Sequence, residues 1–328
     1  MRRLMRAGLA LIPAALMLTS GCMAQAQDAR QAAAALAEAV YPGRLEVIGA
    51  STRVGFDYGQ DVVLGVRGDP VTRIRLSVDK DTSQCRVGTP CETRLREAYA
   101  FAIPQAEEVR ALERAFRSCG VALLAVSDVR YGITPDRPAS VSASLVVETP
   151  LDQGAEPATA RLTTCMDRYA AERPQTPWAT RDVTLGLRVL PQGRRPAAAP
   201  TPLTFEAEIP RSRWDQPAYA LTLSRRDTTT TPTAWRLHSY PTHDARLKDD
   251  IERQAQRWLR SQGAAARLQP GEPVRPLALA SGRLDVARAE VGVCSGRGSG
   301  PCRPDQRVRL TYDLATGQAS NFELVPAR

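Results

Sequence analysis

Histidine is almost absent from this chain of 328 residues: His238 and His243 are the only two. Lysine is as scarce, with Lys80 and Lys248 alone among 44 basic residues, and aromatic side chains make up 5%. Few histidines leave little room for a zinc set or a Ser-His-Asp triad. The stretch "HSYPTHD" that holds both matches no zinc spacing, since Pro241 separates a strand-like residue from one at a helix start. No G-x-S-x-G occurs, which removes the nucleophile-elbow hydrolases. The glycine-rich "CSGRGSGPC" at 294–302 has no lysine and is followed by the alternating "RPDQRVRLTYDL". A phosphate-cradling loop needs a helix N-terminus there, so we read the segment as a strand-to-strand turn. No cofactor motif appears, and none is expected to be bound.

Forty-two of the 44 basic residues are therefore arginine, and 35 acids are interleaved with them. The net charge is +9. Guanidinium groups suit phosphate geometry, but these are scattered, as coding in a GC-rich genome would leave them. No basic-aromatic cluster suggests nucleic acid. Apolar content of 43% is enough for a core, and the length allows one large domain or two.

The N-terminus reads MRRLMRAGLALIPAALMLTSGCMAQ. Arg2, Arg3 and Arg6 precede a short apolar stretch from Ala7 to Leu18, the layout of a secretory signal. About 12 apolar residues rise roughly 18 Å as a helix, short of the ~30 Å hydrocarbon core. An export signal is favoured over a membrane span. No run of 18 apolar residues occurs elsewhere.

The segment Leu18-Thr19-Ser20-Gly21-Cys22 resembles the lipobox of bacterial lipoproteins. Thr19 departs from the more usual leucine. The resemblance covers only the first 22 residues. It implies cleavage before Cys22, a diacylglyceryl group on that sulfur and an amide-linked acyl chain on the new N-terminus. Met23 rather than aspartate follows, which implies an outer-membrane address facing the periplasm. Three arginines leave with the leader, taking the net charge from +9 to +6.

Seven cysteines less Cys22 leave Cys85, Cys91, Cys119, Cys165, Cys294 and Cys302. An even count in an oxidising compartment suggests three bridges, although six cysteines allow 15 pairings. "CRVGTPC" (85–91) and "CSGRGSGPC" (294–302) carry turn-forming Gly and Pro between their ends. Cys119 and Cys165 remain for each other. Loop entropy assigns the three closures, in the order 85–91, 294–302 and 119–165, about 2.4, 2.6 and 4.0 kcal/mol.

Helical periodicity predicts helices over about 27–40, 104–119, 158–171 and 244–262, with Pro104 at a first helical position and Gly120 and Gly263 as stops. Period-two stretches such as "VTRIRLSVD", "VSASLVV", "DVTLGLRVL" and "RVRLTYDL" predict strands. The order is a helix followed by two or three strands, about four times over. This predicts an α+β fold: antiparallel β-sheets with helices on one face, in helix-plus-hairpin units with disulfide-clipped loops. We divide the chain into a signal peptide (1–21), a lipidated tether (22–27), an N-terminal α+β domain (28–192), a Pro/Ala-rich linker (193–202) and a C-terminal α+β domain (203–328). The stretch 191–202 reads equally as a long loop between paired strands. "RGD" at 67–69 falls where a hairpin turn is required and reads as turn chemistry.

Trp178 and Trp214 lie in Pro-flanked loops and are candidates for stacking on sugars or another ligand. Trp235 and Trp258 fall on apolar faces and read as core. The expectation is a lipoprotein held to the membrane by its N-terminal lipid, non-catalytic, binding a protein or polymer of the cell envelope. Its rigid loops would suit an inhibitor or immunity protein. The alternative is an envelope hydrolase acting on glycan or peptidoglycan through carboxylates, whose pairing is spatial and leaves no sequence spacing.

Overall fold

A computed structural model describes residues 29–52, 60–78, 84–86, 89–134, 137–173, 182–193, 217–238, 241–263, 266–268, 278–280, 282–295 and 303–327. Within them the fold is α+β. Helix α1 (29–40) is followed by β1 (Leu45–Thr52), β2 (Gln60–Val66) and β3 (Asp69–Val78). After the two short strands β4 (Gln84–Arg86) and β5 (Thr89–Pro90), α2 (Cys91–Ser118) leads into β6 (Ala122–Thr134) and β7 (Arg137–Thr149). Next come α3 (Ala155–Glu172), β8 (Asp182–Pro191), β9 (Ala218–Arg226), β10 (Thr229–Pro232) and β11 (Arg236–His238). The last group is α4 (Pro241–Ser261), β12 (Ala266–Leu268), β13 (Ala278–Leu279), β14 (Val286–Ser295), β15 (Gln306–Asp313) and β16 (Gln318–Pro326). Four times a helix precedes a run of strands, the order that periodicity had indicated.

The chain divides into two compact units, residues 1–107 and 108–328. In the first, β1-β2-β3 form an antiparallel meander. Val62, Leu64, Ile74 and Leu76 project from one of its faces and are buried with Ala29, Ala33 and Ala37 of α1 and Leu95 and Ala102 of α2. The alanines let α1 lie close to the sheet. Tyr41 stacks on Tyr99 with ring centroids 4.6 Å apart. The turn joining β2 to β3 is Arg67-Gly68, with Gly68 at φ 78°, and the Asp69 carboxylate accepts hydrogen bonds from the backbone N–H groups of Val71 and Thr72. The RGD tripeptide is thus a capped hairpin turn.

Helix α2 differs from the sequence reading. Pro104 does not start it but lies inside a helix of 28 residues. Proline there removes the hydrogen bond to the Ala100 carbonyl. Burial offsets the loss on both sides of it: Leu95 and Ala102 enter the first unit's core, and Val109, Leu112 and Phe116 are fully buried further along. Gly120 and Gly263 take the left-handed conformation expected after α2 and α4.

In the second unit, β10-β9-β8-β7-β6 form one sheet, with β11 also on β9. It is mixed rather than wholly antiparallel: β7 and β8 run parallel, Ser140 to Thr149 against Asp182 to Pro191. The cause is α3, which carries the chain back over the sheet as a crossover. Strands β8 and β9, on either side of the Pro/Ala-rich stretch, are antiparallel neighbours in this sheet. Most of that stretch, from residue 194 onward, lies outside the described residues.

Sheet β12-β14-β15-β16 packs on α4 through Leu247, Ile251, Ala255 and Leu259 against Ala289, Val291, Val293, Val308 and Leu310. Its polar tie is centred on Asp250, which accepts hydrogen bonds from the Tyr312 hydroxyl at 2.7 Å and from Gln254 at 2.7 Å. Gln254 also donates to the Gly317 carbonyl and accepts from the Ala319 N–H, each at 2.8 Å, clipping the β15–β16 turn to the helix. Burial disfavours the charge on Asp250, but hydrogen bonds from Tyr312, Arg253 and Gln254 outweigh it and hold the carboxyl below its usual pKa. A carboxyl whose folded pKa is depressed contributes stability above its unfolded pKa and loses it as pH falls through the folded value. Unfolding free energy measured from about pH 5 down to about pH 2 should therefore fall more steeply in the native protein than in Asp250→Asn. Equal slopes would show that Asp250 titrates alike in both states.

Candidate functional site

The two faces of the six-stranded sheet are unlike. Towards the helices, Val141, Ala143, Leu145 and Val147 of β7, Val183, Leu185, Leu187 and Val189 of β8, and Tyr219, Leu221 and Leu223 of β9 are all buried. So are Leu162, Cys165, Met166 and Tyr169 on α3. At this sheet's margin Trp235 donates from Nε1 to the Thr159 hydroxyl at 2.8 Å and meets Tyr219 edge to face. Tyr219 donates to the Leu284 carbonyl at 2.6 Å, and burial, with the nearby Asp285 charge, pushes its pKa up to about 12. Trp258 stacks on Phe322 at 5.4 Å. Both tryptophans are half-buried packing residues rather than the core residues expected from their apolar faces.

The opposite face is a lattice of short hydroxyl side chains. Register places Ser142, Thr184 and Ser224 in one row, and Ser144, Gly186 and Thr222 in the next. Thr231 extends the first row on β10. Ser142, Ser144, Thr184 and Thr231 are exposed, and Thr222 and Ser224 are half-buried. Further along the strands comes a row of Arg188, Ala220 and Arg236. His238 lies on the following row, opposite Ala218. Burial first, and the Arg188 charge second, hold the His238 imidazole below its ordinary pKa. Beyond them the face turns apolar, with Leu124, Ala125, Val146, Leu190 and Ala218 buried together.

This face was missed in the sequence, although a signal is there. Outward positions elsewhere carry charge: Arg73 and Arg75 on β3, Arg288 and Glu290 on β14, Arg309 on β15. On β7, β8 and β9, Ser142, Ser144, Thr184, Gly186, Thr222 and Ser224 hold these positions, before charge returns at Arg188. Short hydroxyl groups lose little side-chain entropy when covered. Each offers a donor and two acceptor lone pairs. The surface can therefore dock a flat, hydrogen-bonding partner at low ordering cost. Among the described residues, the buried carboxylates of the second unit serve structural ties: Glu108 meets Tyr169 and Arg173, and Glu148 accepts from the Gly193 N–H.

Of the expected bridges, Cys85–Cys91 is formed, with 4.6 Å between Cα atoms. Cys294 is disulfide-bonded, its partner lying outside the described residues. Cys119 and Cys165 depart from expectation: they are free thiols, neighbours but not linked. Burial, with the Cys119 contact, raises the Cys165 pKa, which leaves little of the thiolate that disulfide chemistry needs. Cys22, Cys302, Trp178 and Trp214 lie outside the described residues. Among the described residues no helix is long and apolar enough to cross a membrane. The chain matches no family model, no curated protein and no solved structure at a significant level.

Proposed function

We propose that this chain is an outer-membrane lipoprotein facing the periplasm that binds another component of the cell envelope without turning it over. The open Ser/Thr face of the six-stranded sheet is its docking surface. The observation that supports this reading is the contrast between the two faces: one is buried under helices, while the other exposes Ser142, Ser144, Thr184 and Thr231 in register. A sheet stiffened from behind holds such a surface in place before a partner arrives, and pre-organisation lowers the cost of binding.

The partner is a protein or envelope polymer able to lie flat on hydroxyl groups, and an inhibitor or immunity role is the specific form. The test is capture from envelope extracts on immobilised protein that lacks residues 1–22. Thr184→Arg and Ser144→Arg should each weaken capture of the retained partner at least about tenfold, roughly the 1.4 kcal/mol that one misplaced guanidinium can cost at a packed surface. Arg288→Ser, on the third sheet, should leave it unchanged. If all three variants capture alike, the docking face is elsewhere. Steady release of product from peptidoglycan or glycan, abolished by a single Asp or Glu replacement, would favour a hydrolase instead.

A further inference from the structure

Two neighbouring thiols that are not joined stand apart from the bridged cysteines. Cys119 directly follows α2 and is half-buried, whereas Cys165 sits in the middle of α3 with no exposure. Contacts independent of the sulfurs hold these helices together. Arg168, three residues after Cys165 and on the same helix face, donates to the Ser118 carbonyl at 3.1 Å, next to Cys119. Glu108, further back on α2, meets Tyr169 of α3 and Arg173, the residue that follows it. Contacts therefore run in opposite order along the two helices, which fixes them as an antiparallel pair with the thiols already juxtaposed.

We propose that Cys119 and Cys165 are an oxidisable pair, forming a conditional third disulfide in which Cys119 is the entry thiol and Cys165 the resolving one. The co-reactant is a small-molecule or protein disulfide. The Cys119 thiolate attacks one of its sulfurs, a mixed disulfide forms, and the expelled thiolate takes up a proton. Cys165 then loses its proton and attacks the Cys119 sulfur, releasing the second thiol. Two thiols are oxidised to one disulfide, and one disulfide is reduced to two thiols. The order follows from burial, since Cys119 is only half-buried and Cys165 has no exposure. Burial raises the Cys165 thiol pKa and makes the second step the slow one. The same burial shields the finished bridge from reductant. The pair is thus a latch between α2 and α3 that closes late and opens with difficulty.

The mature full-length protein, purified under mild reductant, would be incubated with excess oxidised glutathione and mapped by mass spectrometry without reduction. The expected result is loss of two free thiols per chain, a linked peptide pair containing residues 119 and 165, and a rise of several degrees in the second unit's melting transition. Cys165→Ala should stop at a stable glutathione adduct on Cys119. Cys119→Ala should leave Cys165 unmodified. The proposal fails if the native protein keeps both thiols, if it accumulates glutathione on Cys119 without bridging, or if Cys165 is found joined to any other cysteine.

Discussion

Replacing Glu108 with alanine is expected to lower the unfolding free energy of the second unit by about 3–5 kcal/mol. The Glu108 side chain has 0% exposure and that of Arg173 has 7%. Arg173 approaches it with two nitrogens, Nη2 to Oε1 at 2.9 Å and Nε to Oε2 at 3.3 Å. The Tyr169 hydroxyl donates to Oε2 at 2.6 Å, and the Arg173 guanidinium also lies over the Tyr169 ring. Removing the carboxylate takes from the buried Arg173 guanidinium the charge it meets through two nitrogens, and that penalty exceeds the net worth of the intact pair. Arg173→Ala should cost a similar amount for the mirrored reason. Tyr169→Phe, which removes one donor to a charged acceptor, should cost about 1.5–3 kcal/mol. The decisive control is Glu108→Leu combined with Arg173→Met, which should recover most of the loss, because an apolar pair of similar volume has no charge to desolvate. Denaturant unfolding of the four variants measures all of this. A Glu108→Ala loss under about 1 kcal/mol would mean that water reaches Arg173.

The same cluster marks the limit of what the sequence could disclose. Each helix could be found from its apolar period and its stop, because Leu162, Cys165, Met166 and Tyr169 recur on one face of α3 whatever lies opposite. In the sequence Glu108 is only an acid four residues after Pro104, close to a predicted helix start, where acids are common. Its role depends on Arg173, 65 residues away, and pairwise burial at that separation leaves no periodic trace. Pro104 misled for a related reason. Proline is favoured at a first helical position and costly inside a helix, and local preference alone picks the first. What overrides it is tertiary: one helix supplies apolar residues to the first unit's core through Leu95 and Ala102, and further buried residues beyond residue 108.

Proximity in sequence served well for Cys85 and Cys91, six residues apart with Gly and Pro between. It could not serve for Cys119 and Cys165. Elimination paired them, and the fold does bring them together, but whether the sulfurs join depends on burial and access that no count of cysteines contains. The Ser/Thr face is the opposite case. Its residues were in view as the outward half of each alternating strand. Lone serines and threonines carry no chemical signature of their own, unlike histidines, carboxylates and thiols, and this face is distinguished by the charge that most of its outward positions leave out. Only the register of β7, β8 and β9 turns scattered hydroxyls into one surface.

Replacing Cys22 should have the largest effect on where the protein resides. Radiolabelled palmitate is expected to enter the native protein and not Cys22→Ala, and a chain that begins at Met23 should fractionate entirely as soluble. The physical argument is additive. Each buried methylene contributes about 0.8 kcal/mol, and one myristoyl-length chain gives only marginal, reversible attachment with a constant near 10⁴ M⁻¹. A diacylglyceryl group supplies two chains at once, which is enough for lasting retention, and the amide-linked chain adds a third. A net charge near +6 on the mature chain would add only a salt-sensitive attraction to anionic headgroups, screened within about 8 Å at physiological ionic strength. The two contributions separate cleanly under about 1 M salt, which should strip an electrostatically held protein and leave a lipidated one in place. Equal palmitate labelling of native protein and Cys22→Ala would place the fat elsewhere, or show it to be non-specific. Release of the native protein by salt alone would remove the anchor altogether, and with it the reason for locating the Ser/Thr face at the membrane.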